Sequence, residues 1–531
     1  MSSFGEAGSV YHAFVTAVER YGPRPFLRTP AVSTQGYADG AIEYSYEASK
    51  AMVERLAGGY QARDLAAGDR VAIAFDSRLE VYLHLLALNA LGVSIVPLNL
   101  GATDDELRHI IGHSDSRLIV SLPMYVERLA NLDICTVCVE TDLVGDLSLA
   151  GIAPPDPARE AALLYTSGTT GKPKGCMLSN DYFLALGAWY TSLGGICALD
   201  ENDRLLTPLP PNHMNALCTS FPAMMCCGGC VIQLDRFHPR SWWQTVREEK
   251  ATVIHCLGVM TAILLTLPET VDEDFSDQIK FCFGPGSDPR HQGVFEERFG
   301  VALIEAWAMT ESGAGGMTIA HEPPRHVGTR CIGKPVPQTE YRIVDEHGAD
   351  VHTGEPGELL VRSVGDDPRR YFFSGYYKDP QATEEGWKGG WWHTGDVVRA
   401  GEDGSLYFVD RRKNVIRRSG ENIAAVEVEA VLLRHPDVDG CAVCAVPDEI
   451  RGDEVFAFVI NNKDVAEKNI FDHCMAHLTY FKVPGYIAFV PELPLTASQK
   501  VSRGNIREMA RANLADGHCV DLREFKKRTG S

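Results

Sequence analysis

The segment LLYTSGTTGKPKGCMLSN, Leu163 to Asn180, constrains the fold of this chain more than any other stretch. An apolar, strand-like run feeds a loop with hydroxyls at Thr166, Ser167, Thr169 and Thr170, glycines at Gly168, Gly171 and Gly175, and ammonium groups at Lys172 and Lys174. Glycines let backbone N–H groups approach phosphate oxygens, hydroxyls add donors and lysines add positive charge, so the loop reads as a polyphosphate cradle. It is not a G-x-x-x-x-G-K-[ST] loop, because Pro173 follows Lys172 where a magnesium-binding hydroxyl would be required. Strands that deliver ligands in this way belong to open α/β sheets, which bind at the carboxyl ends of their strands. The preceding residues supply such a sheet. Met52, Val53, Leu56, Ala57 and Tyr60 recur at helical spacing, VAIAF, SIVPL and RLIVS read as strands, and EVYLHLLALNAL reads as a helix. A further helix is capped by Thr103 or Asp104. Repeated strand, helix, strand units predict mainly parallel sheets covered by helices.

From about Tyr341 the texture changes to short strands with turn signals, YRIVDEHG, GELLVRS and SLYFVD, which predicts a β-rich subdomain over about 335–410. After the polar DRRKN turn the pattern becomes α+β. The expected organisation is therefore a large α/β N-terminal domain over 1–410, including the β-rich part, and a small α+β domain over 411–531. With 531 residues, 45% of them hydrophobic and 23% charged, the chain is long enough for one large core and a further domain. Lys and Arg total 50 against 71 Asp and Glu, a formal charge of −21 that argues against a nonspecific grip on nucleic acid or anionic lipid. The most apolar stretch, Val81 to Leu98, is broken by His84, Asn89, Gly92 and Pro97, so no membrane span is expected. The opening MSSFGEAGSVYHAF contains Glu6 and does not read as a secretory leader. Fifteen cysteines are scattered, many in apolar runs, as reduced thiols of a cytoplasmic protein would be. The pairs Cys135/Cys138 and Cys441/Cys444 sit in strand-like runs without zinc-spaced partners and read as packed side chains.

Further motifs follow in order: LPPNHMNAL (Leu209–Leu217), CFGPGSDP (Cys282–Pro289), EAWAMTESG (Glu305–Gly313), the Thr394-Gly395-Asp396 of WWHTGDVV, Asp410 and Arg411 of VDRRKN, VIRRSGENIAAVEVE (Val415–Glu429) and LPLTASQKVSR with Lys500. Several would be weak alone. Their order and spacing resemble the ANL superfamily of acyl-CoA synthetases, nonribosomal peptide adenylation domains and beetle luciferases, which form acyl-adenylates. PPNHMNALCTS, ATVIHCLGVM, VDRRKNVIRRSGENI and FKVPGYIAFV look closest to its carnitine/crotonobetaine-CoA ligase branch.

The resemblance implies an AMP-forming acyl-CoA synthetase using ATP, Mg²⁺ and coenzyme A, with no redox cofactor. It implies that Trp307 stacks near adenine, Gly284, Pro285 and Gly286 line it, Thr310 meets the α-phosphate, and Glu311 holds Mg²⁺ with Thr170. Asp396 and Arg411 would bind the ribose, and the small domain would be mobile, rotating about Asp410. Lys500 would be the adenylating lysine, an ammonium that bridges two anionic reactants and offsets charge in the transition state. Arg417, Gly420, Glu421 and Asn422 would line the thioester-forming tunnel. His213, as the gating residue, with Asn215, Ala306 and Gly313 would border the acyl pocket. The chain departs from the family pattern at Trp307 and Ala308, where Tyr-Gly is usual, and at Gln499, where Gly is usual. The amides of Asn212 and Asn215 give that pocket a polar rim, which suits a small or functionalised carboxylic acid better than a long alkyl chain, because buried amides without partners are costly. Loading of a separate carrier protein and luciferase-like oxygenation stay open as alternatives. Closed symmetric dimers are the commonest oligomers, so a homodimer is the expectation.

Overall fold

The computed structural model describes residues 6–34, 37–132, 137–166, 173–269, 273–411, 415–418, 421–448, 451–461, 465–495 and 501–526. The chain divides into two compact units. The first comprises Met1–Arg342, Leu360–His393 and Gly404–Leu406, and the second Ile343–Leu359, Thr394–Asp403 and Tyr407–Ser531. Parts of the segment read as β-rich, 335–410, thus cluster with the C-terminal residues.

The first unit is built on two seven-stranded sheets. One has the order Leu303–Ile304, Phe281–Phe283, Val253–His255, Arg204–Thr207, Cys230–Gln233, Pro25–Thr29, Ile42–Ser45, parallel except at the last pair. The other has the order Gly375–Tyr376, Lys174–Ser179, Glu160–Thr166, Ser94–Pro97, Arg70–Ala74, Leu118–Ser121, Val137–Val139. Its strands are parallel from Glu160–Thr166 onward, and the first two pairs are antiparallel. The parallel strands are apolar along most of their length, and all of Ser94–Pro97 and Leu118–Ser121 is buried, because helices cover both faces. Helix Glu80–Ala90 is buried at every position from Val81 to Ala90, which explains an apolar run with no polar stripe. Helix Asp104–His113 starts at Thr103, whose hydroxyl accepts from the Glu106 N–H while the Glu106 carboxylate accepts from the Thr103 N–H, a reciprocal cap. Arg70 ties the central strand to the start of Glu160–Thr166 through two bonds to Glu160, at 2.6 and 2.8 Å.

In the second unit, Val438–Asp448 and Gly452–Asn461 form a long antiparallel pair that carries CAVCAV and EVFAFVI. Helices Ala425–Leu432, Glu467–His477 and Arg503–Asp516 accompany this sheet. Alternation of side chains along the strands splits its core: Cys441, Val443, Val455 and Ala457 fall in one cluster, and Ala442, Cys444, Phe456 and Phe458 in another. Cys441 and Cys444 are both buried thiols outside any disulfide. Cys138 is likewise a buried thiol outside any disulfide, and Cys135 lies outside the described residues. No helix among the described residues is long and apolar enough to cross a membrane.

Candidate active site

The phosphate segment sits at the mouth of a hairpin. Strand Glu160–Thr166 runs parallel to Ser94–Pro97, then pairs antiparallel with Lys174–Ser179, with Thr166 opposite Lys174. The loop therefore leaves from the carboxyl end of a parallel strand, where such sheets present ligands. Ser167, Gly168, Thr169, Thr170, Gly171 and Lys172 lie outside the described residues. On the flank, the Lys174 ammonium is 3.0 Å from Asp379 and 4.8 Å from the centre of the Tyr376 ring. The Ala382 N–H and Lys174 together hold the Asp379 carboxyl below its usual range.

Gly284, Pro285 and Gly286 follow directly on strand Phe281–Phe283. Gly286 has φ +78°, a conformation glycine adopts without strain. The turn is closed by the Ser287 hydroxyl donating to the Gly284 carbonyl at 2.8 Å. It is clamped by Glu305, whose carboxylate accepts from the N–H groups of Gly286 and Ser287 at 3.0 and 2.7 Å. Burial pushes the Glu305 carboxyl up to about 7, against the opposing pull of these two N–H donors. A Cβ on Gly258 would lie 2.0 Å from the Gly286 carbonyl, so the start of helix Gly258–Thr266 packs directly on the turn.

Downstream of Glu305, Ala306 and Trp307 form a short strand paired with Thr318–Ile319, and both are buried. The chain then turns through Thr310 and Glu311. The Tyr182 hydroxyl donates to the Thr310 carbonyl at 2.8 Å, and the Phe373 N–H donates to the Glu311 carbonyl at 3.0 Å. The Glu311 carboxylate, 7% exposed, accepts from the Tyr376 hydroxyl at 2.7 Å. Tyr376 in turn is paired with Cys176 on the outgoing strand of the phosphate hairpin. Gly313, at φ +50°, has the Tyr182 ring and the Tyr371 carbonyl where a Cβ would sit. The segment from Glu305 to Gly313 is thus bonded at one end to the Gly-rich turn and at the other to the phosphate hairpin. Among the described residues no group of three or more His, Cys, Asp and Glu is placed to hold a metal ion. Glu311 would offer a hard carboxylate oxygen, which fits Mg²⁺, an ion that takes one or two carboxylates and fills its shell with water and phosphate oxygens.

Of the residues read as bordering an acyl pocket, His213 is exposed and its Nδ1 accepts from the Asn215 N–H at 3.3 Å. Asn215 opens a π-helical turn, Asn215–Ser220, and its Oδ1 lies 2.7 Å from His255 Nδ1. Because that oxygen only accepts, His255 carries its proton on Nδ1, and Nε2 accepts from the Tyr190 hydroxyl at 2.8 Å. Complete burial pushes His255 down to about 3, so it is neutral near physiological pH.

In the second unit, Asp396 and Arg411 are brought together, with Arg411 Nε 3.3 Å from Asp396 Oδ1. The Asp396 N–H donates to the Thr394 hydroxyl at 3.0 Å, and Thr394 donates to the Leu359 carbonyl at 2.7 Å, so the Thr-Gly-Asp turn is fixed to its neighbouring strand. Asp410 is 2% exposed, and its carboxylate accepts from the Arg411 and Val426 N–H groups at 2.6 and 3.4 Å. The backbones of Arg417 and Asn422 pair across the hairpin Val415–Arg418/Glu421–Ala424. The side chains of Arg417, Glu421 and Asn422, and the whole of Gly420 and Lys500, lie outside the described residues. Five side chains that organise this region, Tyr182, Tyr190, His255, Glu305 and Tyr376, are not evident from sequence. Glu305 had a usable signal, since an acid directly before the apolar AWAM strand is out of pattern.

The sequence matches the AMP-binding enzyme family over residues 14–377 and the AMP-binding enzyme C-terminal domain over residues 427–500. It is 30% identical over 495 residues to a crotonobetaine/carnitine–CoA ligase of Citrobacter koseri, covering 88% of this chain and 94% of that protein. The corresponding ligase of Escherichia fergusonii is 30% identical over 484 residues, 87% of this chain and 92% of that one. Among solved structures, o-succinylbenzoate CoA synthetase from Bacillus subtilis with its acyl-adenylate intermediate aligns with a TM-score of 0.80 at 25% identity, covering 93% of this chain and 97% of that one. ATP-bound MatB from Rhodopseudomonas palustris shares the fold, with a TM-score of 0.82 at 24% identity over 94% and 98% of the two chains. The chain belongs to the AMP-binding enzyme family. Within it, the protein is an AMP-forming acyl-CoA ligase, an acid–thiol ligase.

Proposed function

We propose that the enzyme activates a small, functionalised carboxylic acid in two steps and delivers it to coenzyme A as a thioester. In the first, a carboxylate oxygen attacks the α-phosphorus of ATP and pyrophosphate leaves, giving acyl-AMP. In the second, the CoA thiol attacks the acyl carbonyl, loses its proton, and AMP leaves. The observation that carries the first step is the joining of the Gly-rich turn and the phosphate hairpin by one segment, Glu305 to Gly313. Purine and phosphate contacts are thereby held in one rigid frame, and positioning of this kind is most of what a phosphoryl-centred displacement needs. Trp307 and the Gly284–Gly286 turn take the base, Thr166, Thr310 and the loop lysines take the phosphates, and Asp396 with Arg411 takes the ribose. Mg²⁺, held by Glu311 when bound, supplies charge neutralisation at the phosphate oxygens. Lys500 bridges the attacking carboxylate and the α-phosphate. Arg417, Gly420, Glu421 and Asn422 serve the thiol step after a rotation about Asp410.

Relatives named for crotonobetaine and carnitine support a short, functionalised carboxylate as the acid. The polar lining at Asn215, backed by neutral His255, fits such an acid better than an alkyl chain. A cytoplasmic location fits a chain whose described cysteines are thiols outside any disulfide. The test is incubation with ATP, CoA and a panel of short, hydroxylated, aromatic and betaine-type acids, following AMP and thioester. Stoichiometric AMP and acyl-CoA are expected with one class of acid. AMP release that is indifferent to CoA, with no thioester, would overturn the thiol step.

A further inference from the structure

Tyr376 is not among the residues that the motifs single out, yet its hydroxyl donates to the carboxylate of Glu311 at 2.7 Å. Its own position is over-determined. Its N–H donates to the Thr383 hydroxyl at 2.9 Å, its backbone pairs with Cys176, and its ring meets Phe373 edge-on with centroids 4.9 Å apart. Trp392 lies 6.3 Å away, and the Lys174 ammonium 4.8 Å from the ring centre. A phenylalanine would fill the same aromatic nest, so the packing does not explain the hydroxyl. A hydroxyl buried among rings is costly unless it is bonded, and this one is aimed at a carboxylate.

The consequence for Glu311 is orientational. The terminal torsion of a glutamate is soft and roughly two-fold, so a carboxylate anchored only through its backbone samples many directions. Here the backbone is pinned by Tyr182 and Phe373, and the carboxylate is restrained by Tyr376 acting on Oε1, with the Cys176 thiol also bonded to the side chain. Groups that hold a metal-binding side chain in one orientation raise metal affinity by about 10- to 100-fold. We propose that Tyr376 is a positioning residue that presents Glu311 to the divalent cation of the nucleotide. Tyr376 stands opposite Cys176 on the outgoing strand of the phosphate hairpin, between the Ser374 and Tyr377 N–H groups that donate to the Met177 and Gly175 carbonyls, so it also ties the metal carboxylate to that strand. This inference rests on the reading of Glu311 as the metal ligand.

Mn²⁺ in place of Mg²⁺ tests it without catalysis. Free Mn²⁺ is counted by electron paramagnetic resonance during titration of the intact enzyme with ATP present, for wild type, Tyr376→Phe and Glu311→Gln. Expected is a loss of about tenfold in Mn²⁺ affinity for Tyr376→Phe and a larger loss for Glu311→Gln. Binding of metal-free ATP by Tyr376→Phe stays at the wild-type value, and its unfolding stays cooperative with a midpoint lowered by no more than the loss of one buried hydrogen bond, which separates positioning from a general loss of structure. A loss for Glu311→Gln with wild-type affinity for Tyr376→Phe would overturn the role of Tyr376 and leave Glu311 as the ligand. Wild-type affinity in both variants would overturn the metal reading of Glu311 itself, and this inference with it.

Discussion

Glu305 offers a sharp test of how the Gly-rich turn is held. Burial raises its carboxyl from 4.5 to about 7 in the folded protein. Between those values the native state binds more protons than the unfolded state, so the contribution of this group is complete below about pH 4.5 and declines as pH rises to 7 and beyond. At about 1.36 kcal/mol per pH unit, the loss between pH 5 and pH 8 comes to about 2.5 kcal/mol. Glu305→Gln removes the titration but leaves one acceptor oxygen for the two N–H groups of Gly286 and Ser287. The protonated wild-type carboxyl at pH 5 likewise offers one carbonyl oxygen, so the variant should lie close to wild type at pH 5 and be more stable than it by about 2.5 kcal/mol at pH 8, where wild type carries a buried charge. All seven tryptophans lie in the first unit, so urea unfolding followed by tryptophan fluorescence reports the domain that contains Glu305. The titration of His255 is common to both proteins and cancels in the difference. A stability gap between variant and wild type that stays the same within about 0.5 kcal/mol at the two pH values would refute the argument.

His255 should show the opposite sign. Its folded value of about 3 lies below the ordinary 6.5, so it contributes stability above pH 6.5 that is lost as pH falls. His255→Gln should relieve about 3 kcal/mol of the loss between pH 6.5 and pH 4, measured by the same fluorescence assay. Gly313→Ala places a Cβ 2.4 Å from the Tyr182 ring and 2.5 Å from the Tyr371 carbonyl at a positive φ. Strain and overpacking together should cost about 2–5 kcal/mol, read as a lowered thermal midpoint, and adenylate formation should fall because Glu311 lies in the same turn. Lys500→Ala should abolish acyl-AMP formation while leaving thioester formation from supplied acyl-AMP largely intact, and equal losses in the two half-reactions would contradict its proposed role.

Much of the fold is legible along the chain because its signals are local. Thr103 and Glu106 are three residues apart and cap one helix, and apolar runs such as LIVS are what a strand buried on both faces requires. The phosphate hairpin is equally local: strand, glycines and lysines are contiguous, and Thr166 and Lys174 face each other across its mouth. Domain organisation was harder, because residues 343–359 and 394–403 pack with a unit that lies mostly beyond them in sequence.

What the sequence determined by itself is therefore the parallel-sheet architecture, the phosphate hairpin and the ordered set of motifs that mark an adenylate-forming ligase. Tertiary structure alone decided which side chains hold those motifs in place. Tyr376 meets Glu311 across 65 residues of chain, His255 meets Asn215 across 40, and Glu305 meets Gly286 across 19. Each of these bonds depends on which strands are laid side by side and in what register. Periodicity and composition report the neighbours of a residue along the chain, whereas the orientation of a buried carboxylate or imidazole is set by partners that only the folded sheet brings within 3 Å.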